Sequence, residues 1–358
     1  FLYAIEHGAA FIYDTDDEYR LRHVLRRHNS HVSCLDFTED SKHLRSVCGG
    51  NELLFWDARR GKPMPGGATS LRDATWHTTT CPLVWSTQGI LDTDPKSLCV
   101  SRNERCDLVV SGDSKGVLSL LNYPCPKTPW CRSEFLGHGS YIPCVRFTRR
   151  DVYVVSVGGA DRGIFQWRVQ RESSSTSLTP TISSPTTTKE TYELEQYEGK
   201  GDNIMASKPW LGAIKAPSEP PNIRNENSSS YLELAWVHGC STRPRSVQYL
   251  SRLGVLAYST AAIVVLHELN SKSQNYFRGY HTGRINSMAF SNDETICATG
   301  GVGRNPSIYI WCTRTRKIVT RLEGHRRSID ALAFSPNKQY LVSVGGESNR
   351  LMFLYERT

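Results

Sequence analysis

The chain has 358 residues, 39% of them apolar and 22% charged, with a formal net charge of +8. That is enough to bury a sizeable core, but it is long for one domain unless the domain is built from repeats. No run of about twenty apolar residues occurs, so no hydrophobic helix of bilayer-spanning length is expected. The opening Phe1-Leu2-Tyr3 lacks a charged-then-apolar leader pattern and reads as the inside of a strand, as in a piece of something longer.

Residues 1–14 and a strand around 19–25 form a partial unit. The first full unit, CLDFTEDSKHLRSVCGGNELLFW, covers residues 34–56. It consists of an apolar strand, a polar turn, a second apolar run, a Gly-rich turn and a third run ending in an aromatic. Residues 97–122 keep this grammar but end in leucines. Full copies return at 144–167, 287–311 and 331–355. The last two start 44 positions apart, the period of a WD-type β-propeller blade of roughly 40–45 residues. Runs of Val, Ile, Leu, Phe and Tyr bounded by Gly, Asn, Asp or Ser predict strands. The expected class is all-β. A blade buries its faces only against neighbours, so the units must stack.

The glycine pairs at 49–50, 158–159, 300–301 and 345–346 are expected to supply positive φ between strands. Gly300-Gly301-Val302-Gly303 resembles a phosphate loop but lacks the Gly-Lys-Ser/Thr ending and a following helix. His138, Ser156, Asp161 and Trp167 belong to one copy. His28, His281 and His325 stand at equivalent places in others. In WD-repeat proteins, which the chain resembles, such a His, Ser/Thr, Asp and Trp form a hydrogen-bonded structural tetrad. A catalytic His138–Asp161 dyad is the competing reading. The pair recurs with the blade instead of marking one cleft, so no catalytic residue is expected. Glu347 near the Asp position and Tyr355 in place of the terminal Trp depart from the pattern.

Eleven cysteines contain no CxxC pair. Cys34, Cys144 and Cys297 fall in predicted strands as small hydrophobes. Cys125 and Cys131, with His138 beyond, are too loosely spaced for zinc. Neither metal nor cofactor is expected, and the odd count fits a reducing compartment.

Composition shifts at residue 170. Residues 170–230 are rich in Ser, Thr and Pro and then acidic, the mark of a linker. Thr179-Pro180 and Ser184-Pro185 are candidate phosphorylation points. Stretch 171–230 holds six Lys/Arg and eight Asp/Glu. The rest therefore carries +10 (43 minus 6 basic against 35 minus 8 acidic).

After the linker, YLELAWVHG, an Arg, and then GVLAYSTAAIVVLHEL resemble the hydrophobic motif of the echinoderm microtubule-associated protein-like family. GYHTGRINSMAFSNDETICATGGVGRNPSIYIW, HNSHVSCLDFTEDSKHLRSVCGGNELLFWD, LRDATWHTTTCPLVW and LNYPCPK are similar to blades of that family. The resemblance implies tandem propellers. Residues 1–169 would end one propeller and 231–358 would open the next. The alternative closes both parts into one seven-bladed ring. The resemblance also implies a non-catalytic microtubule-associated scaffold in the cytoplasm, with tubulin and other cytoskeletal or axonemal proteins as partners, and a cytoskeletal or ciliary location. A general WD-repeat adaptor is the alternative. Nucleic acid is not expected as a partner, because basic residues are not interleaved with stacking aromatics.

Tubulin is acidic, and a basic fold is drawn to it by a salt-dependent field. Arg26, Arg27, Arg162, Arg284, Arg304, Arg326 and Arg327 sit in turns that fall on one face if the blades align. Arg59-Arg60, Arg149-Arg150 and Arg314-Arg316-Lys317 fall on the other. The competing reading makes any such pair an ordinary solvated turn.

Overall fold

The computed structural model describes residues 2–5, 8–91, 99–171, 212–243, 246–346 and 351–356. Among the described residues, twenty-six strands make seven antiparallel sheets that follow one another in chain order. Sheet 1 holds Leu2–Ile5, Ala9–Asp14 and Arg20–Arg26. Sheet 2 holds Val32–Phe37, His43–Cys48, Leu53–Asp57 and Lys62–Pro63. Sheet 3 runs from Cys99–Arg102 through Leu108–Gly112 and Leu118–Asn122 to Ser133–Phe135. Sheet 4 contains Cys144–Phe147, Tyr153–Val157, Ile164–Arg171 and Ser230–His238. Sheets 5 and 6 have four strands each, Val247–Leu250 to Ser273–Phe277 and Ile285–Phe290 to Ile318–Leu322. Sheet 7 has three, Ile329–Phe334, Tyr340–Gly345 and Met352–Glu356.

The strands form where period-2 burial is possible. Along Tyr153–Val157, Val154 and Ser156 point into the packed interior, and their neighbours are half-buried. Trp56, Trp167 and Trp311 occupy equivalent third-strand positions and are 2%, 0% and 0% exposed. Where sheet 3 ends in leucines instead, Leu120 and Leu121 are buried. One core joins Val110 and Leu120 of sheet 3, Phe165 and Trp167 of sheet 4, and Ile263 and Val265 of sheet 5. Phe277 stacks on Trp311 with ring centres 4.5 Å apart, fastening sheet 5 to sheet 6.

Ser230–His238 carries the motif expected to open a second propeller. It pairs instead, strand against strand, with Ile164–Arg171, from Arg171 opposite Ser230 to Ile164 opposite His238. Its alternating Leu232, Leu234 and Val237 are buried in the core that Trp167 occupies. The sequence on either side of the compositional break thus shares one sheet, because this apolar alternation finds an unpaired edge there.

The Ser/Thr-Pro sites lie outside the described residues. Beyond residue 211 the returning segment docks. Ser218 donates N–H and Oγ–H to Asp73 at 2.6 and 2.7 Å, and Asn225 Oδ1 accepts from Cys131 N–H at 2.9 Å.

The turn glycines do not do what their sequence suggests. None of the eight in the four pairs is left-handed; Gly303 is, at φ 151°. They make room. A Cβ on Gly158 would collide with the Asp161 carboxylate, and one on Gly345 with the His325 ring.

Candidate functional site

Antiparallel strands send alternate connections to opposite ends of the array. The connections into each sheet and those between its second and third strands share one end. Arg27, Arg162, Arg284, Arg304, Arg326 and Arg327 lie in such connections, Arg26 ends the strand that leads into one, and all seven are exposed. The backbone ties four of them, Arg284, Arg304, Arg326 and Arg327, into a chain. Gly139 passes so close under Arg284 that a Cβ would stand 2.6 Å from its nitrogen. Val302 N–H donates to Arg284 O at 3.0 Å, Asn305 N–H to Arg326 O at 3.0 Å, and Gly303 N–H to Arg327 O at 2.9 Å. Arg162 and Arg284 line one cavity of 520 Å³ with Arg243, a residue that the sequence reading passed over. Arg26 and Arg27 sit apart, at the end of sheet 1's third strand and just beyond it.

Four of the charges at this end are uncompensated. Arg162, Arg243, Arg284 and Arg304 have no ion-pair partner among the described residues. Asp161 is close, but its oxygens accept from His138, Gly139 N–H and Gly163 N–H. At the opposite end Arg60 reaches Asp57 at 3.8 Å, whose carboxylate also accepts the N–H groups of Arg59 and Arg60.

Beneath the basic end the structure brings the sheet 4 quartet together. His138 Nδ1 meets Asp161 Oδ2 at 3.2 Å, and His138 Nε2 meets Ser156 Oγ at 2.8 Å. Trp167 Nε1 donates to Ser156 Oγ at 2.9 Å. The His138 and Asp161 side chains are 1% and 0% exposed. Every buried polar tip has a partner, which suits a role in holding the sheet rather than in turnover. We expect Asp161→Ala to cost about 1–3 kcal/mol by orphaning His138 and two backbone N–H groups. A denaturant midpoint equal to that of the unaltered chain would show that the contact contributes nothing.

Other sheets hold parts of the set. His28 meets Ser46 Oγ at 2.6 Å and Trp56 Nε1 donates to it at 2.8 Å; His325 meets Ser343 Oγ at 2.7 Å. In sheet 6, His281 meets Thr299 Oγ1 at 2.9 Å, and Trp311 Nε1 has no partner among the described residues. Burial lowers the His281 pKa to about 3. Tyr355 donates to Glu323 O at 3.4 Å, and Glu347 lies outside the described residues. Cys125, Cys131 and His138 do not converge: Cys125 is buried with its thiol towards Ser86 O, and Cys131 is exposed. Burial pushes the Cys34 thiol up to about 11 and those of Cys99 and Cys125 to about 12, so these are protonated packing groups.

The sequence reading also missed a buried charge centre. Arg45 Nε donates to Asp36 Oδ2 at 3.0 Å, with side chains 6% and 0% exposed. Asp36 accepts further from Thr78 Oγ1, Thr80 N–H and Cys81 N–H at 2.6, 2.8 and 3.1 Å. The Arg45 guanidinium lies 4.1 Å from the Trp76 ring centre. Burial alone would push the Asp36 carboxyl up. Arg45 and these hydrogen bonds together overcome it and hold the pKa below the usual range.

Repeated four-stranded sheets with buried third-strand tryptophans and His–Ser–Trp contacts define a WD-repeat β-propeller protein, and residues 271–312 and 316–353 match the WD domain, G-beta repeat. Residues 3–169 match the echinoderm microtubule-associated protein second beta-propeller. Over these residues the chain is similar to the echinoderm microtubule-associated protein-like family. It is 37% identical over 167 residues to echinoderm microtubule-associated protein-like 3 of Mus musculus, covering 44% of this chain and 18% of that protein. To echinoderm microtubule-associated protein-like 4 of Homo sapiens it is 31% identical over 168 residues, 45% of this chain and 17% of the relative. The ciliary WD repeat-containing protein ctxp80 of Euplotoides octocarinatus is 31% identical over 163 residues, covering 44% and 22%. The matched segments thus span less than a quarter of these relatives' length.

Proposed function

We propose that this chain is a non-catalytic scaffold that binds tubulin through the arginine-bearing end of its sheets, on cytoskeletal or ciliary microtubules. The observation that carries the reading is the linked run Arg284, Arg304, Arg326 and Arg327, with Arg162 and Arg243 lining the cavity beside it, on one end of a basic fold. Tubulin's acidic surface is the complement of such a field, and the names of the relatives point the same way. We also propose that the parts on either side of the linker act as one seven-sheet array. The shared sheet 4 supports that reading, since the arginines of sheets 4, 6 and 7 then present one continuous face.

Microtubule co-sedimentation tests this. Reversing Arg162, Arg284, Arg304 and Arg327 together to Glu should weaken binding about tenfold at low salt, each exposed contact contributing about 0–1 kcal/mol. The difference should shrink as ionic strength rises. Arg149→Glu with Arg150→Glu, at the opposite end, should bind as the unaltered chain does. Equal losses in both variants would make the attraction diffuse and remove the face assignment. Unchanged binding in both would remove the electrostatic mechanism.

A further inference from the structure

Sheet 2 departs from sheet 4 at one place. Two residues beyond the buried serine, where sheet 4 has Gly158, sheet 2 has Cys48, and the acid facing the histidine is Glu52 instead of Asp161. The consequence is a different local chemistry. His138 Nδ1 is satisfied by its aspartate at 3.2 Å. His28 Nδ1 is buried without a hydrogen-bond partner among the described residues, and the Glu52 Oε2 beside it stands 3.5 Å away. Cys48 Sγ lies 3.7 Å from the same oxygen, and the three atoms are all within 4.8 Å of one another.

We propose that His28 Nδ1, Cys48 Sγ and Glu52 Oε2 bind a zinc ion. Ligands held about 2.0–2.3 Å from a tetrahedral zinc are themselves about 3.3–3.7 Å apart. Two of the separations fall in that range, and a rotation of the Cys48 side chain adjusts the third. The mixed nitrogen, sulfur and oxygen set suits a borderline-soft cation better than magnesium or calcium. Outer contacts aim the ligands. His28 Nε2 rests on Ser46 Oγ, which leaves the Nδ1 lone pair for the metal. Asn29 donates its backbone N–H to Glu52 Oε2 at 3.1 Å and its side-chain amide to Oε1 at 2.7 Å. On binding, the Cys48 thiol gives its proton to solvent. One thiolate and one carboxylate then neutralise the divalent ion, a balance suited to a site whose histidine side chain is 1% exposed. Glu52, 35% exposed at its side chain, opens the site to solvent, so water completes the fourth position. His138, His281 and His325 are not part of any such cluster among the described residues.

The test uses the full chain, stripped with a chelator and titrated with cobalt(II) alone and then with zinc(II) alone. One equivalent of cobalt should produce a thiolate-to-metal absorption band, which zinc then displaces. Cys48→Ser should abolish the band, and Glu52→Gln should weaken cobalt binding at least about tenfold. Cys131→Ser, which alters an exposed thiol elsewhere, should leave it unchanged. Zinc should raise the thermal midpoint of the unaltered chain but not that of Cys48→Ser. Absence of the band, or its survival in Cys48→Ser, would overturn the proposal. If Cys48→Ser does not fold, cobalt affinity in Glu52→Gln decides by itself, and an unchanged value overturns it equally.

Discussion

Asp36→Ala is expected to lower the unfolding free energy by about 3–5 kcal/mol, the cost of removing one member of a buried ion pair. The size follows from what the carboxylate holds. Its removal leaves Arg45 charged and 6% exposed, and it strips the acceptor from Thr78 Oγ–H and from the N–H groups of Thr80 and Cys81. The last two lie in the connection that leads from sheet 2 to sheet 3, so the loss should spread beyond one sheet. Replacing Asp36 by Leu and Arg45 by Met together should recover part of the loss. It should not recover all, because both backbone donors stay buried without an acceptor. Urea unfolding of the three proteins checks this. A single variant within 1 kcal/mol of the unaltered chain would show that the cluster is dispensable.

The stability of the fold should decline as pH falls below about 6.5, and His281 should supply a large share of the decline. Its folded pKa of about 3 lies below the ordinary 6.5 because the ring is buried. The unfolded chain therefore takes up a proton on acidification while the folded chain does not. Stability is full above pH 6.5 and is lost down to about pH 3, by about 1.4 kcal/mol per pH unit at steepest. By pH 5 the loss from this group is about 2 kcal/mol, and over the whole window about 5 kcal/mol. His281→Gln keeps a polar partner for Thr299 and cannot titrate. It should be less stable at neutral pH yet lose about 2 kcal/mol less between pH 7 and pH 5. Parallel pH profiles for the two proteins would mean that His281 is protonated in the folded state at moderate pH.

The strands were legible because each runs about five residues between turn formers, and the buried third-strand tryptophans repeat with them. The sheet 4 quartet was legible for the same reason, since all four residues sit within one unit. What lay beyond reading is what the chain assembles across units. Asp36 draws its partners from residues 78 to 81, far outside its own repeat, and no local pattern marks them. The strand at Ser230–His238 showed its apolar alternation, but the edge that receives it lies some sixty residues earlier, across the compositional break, and alternation alone names no partner. No sequence pattern marks Cys48 and Glu52 as neighbours of the His28 nitrogen; only the folded turn brings the three together. The turn glycines were misread because spacing reveals a need for a small residue but not whether backbone angle or crowding imposes it.

The shared sheet 4 also sets a timetable. Ribosomal synthesis completes Ile164–Arg171 well before His238 emerges, and at about 5–20 residues per second the wait is on the order of 3 to 13 s. During that interval the strand offers a bare row of backbone donors and acceptors, with Phe165 and Trp167 lacking the cover of Leu232 and Leu234. Until Ser230–His238 is made, the nascent N-terminal sheets thus carry an unpaired edge open to pairing with another chain.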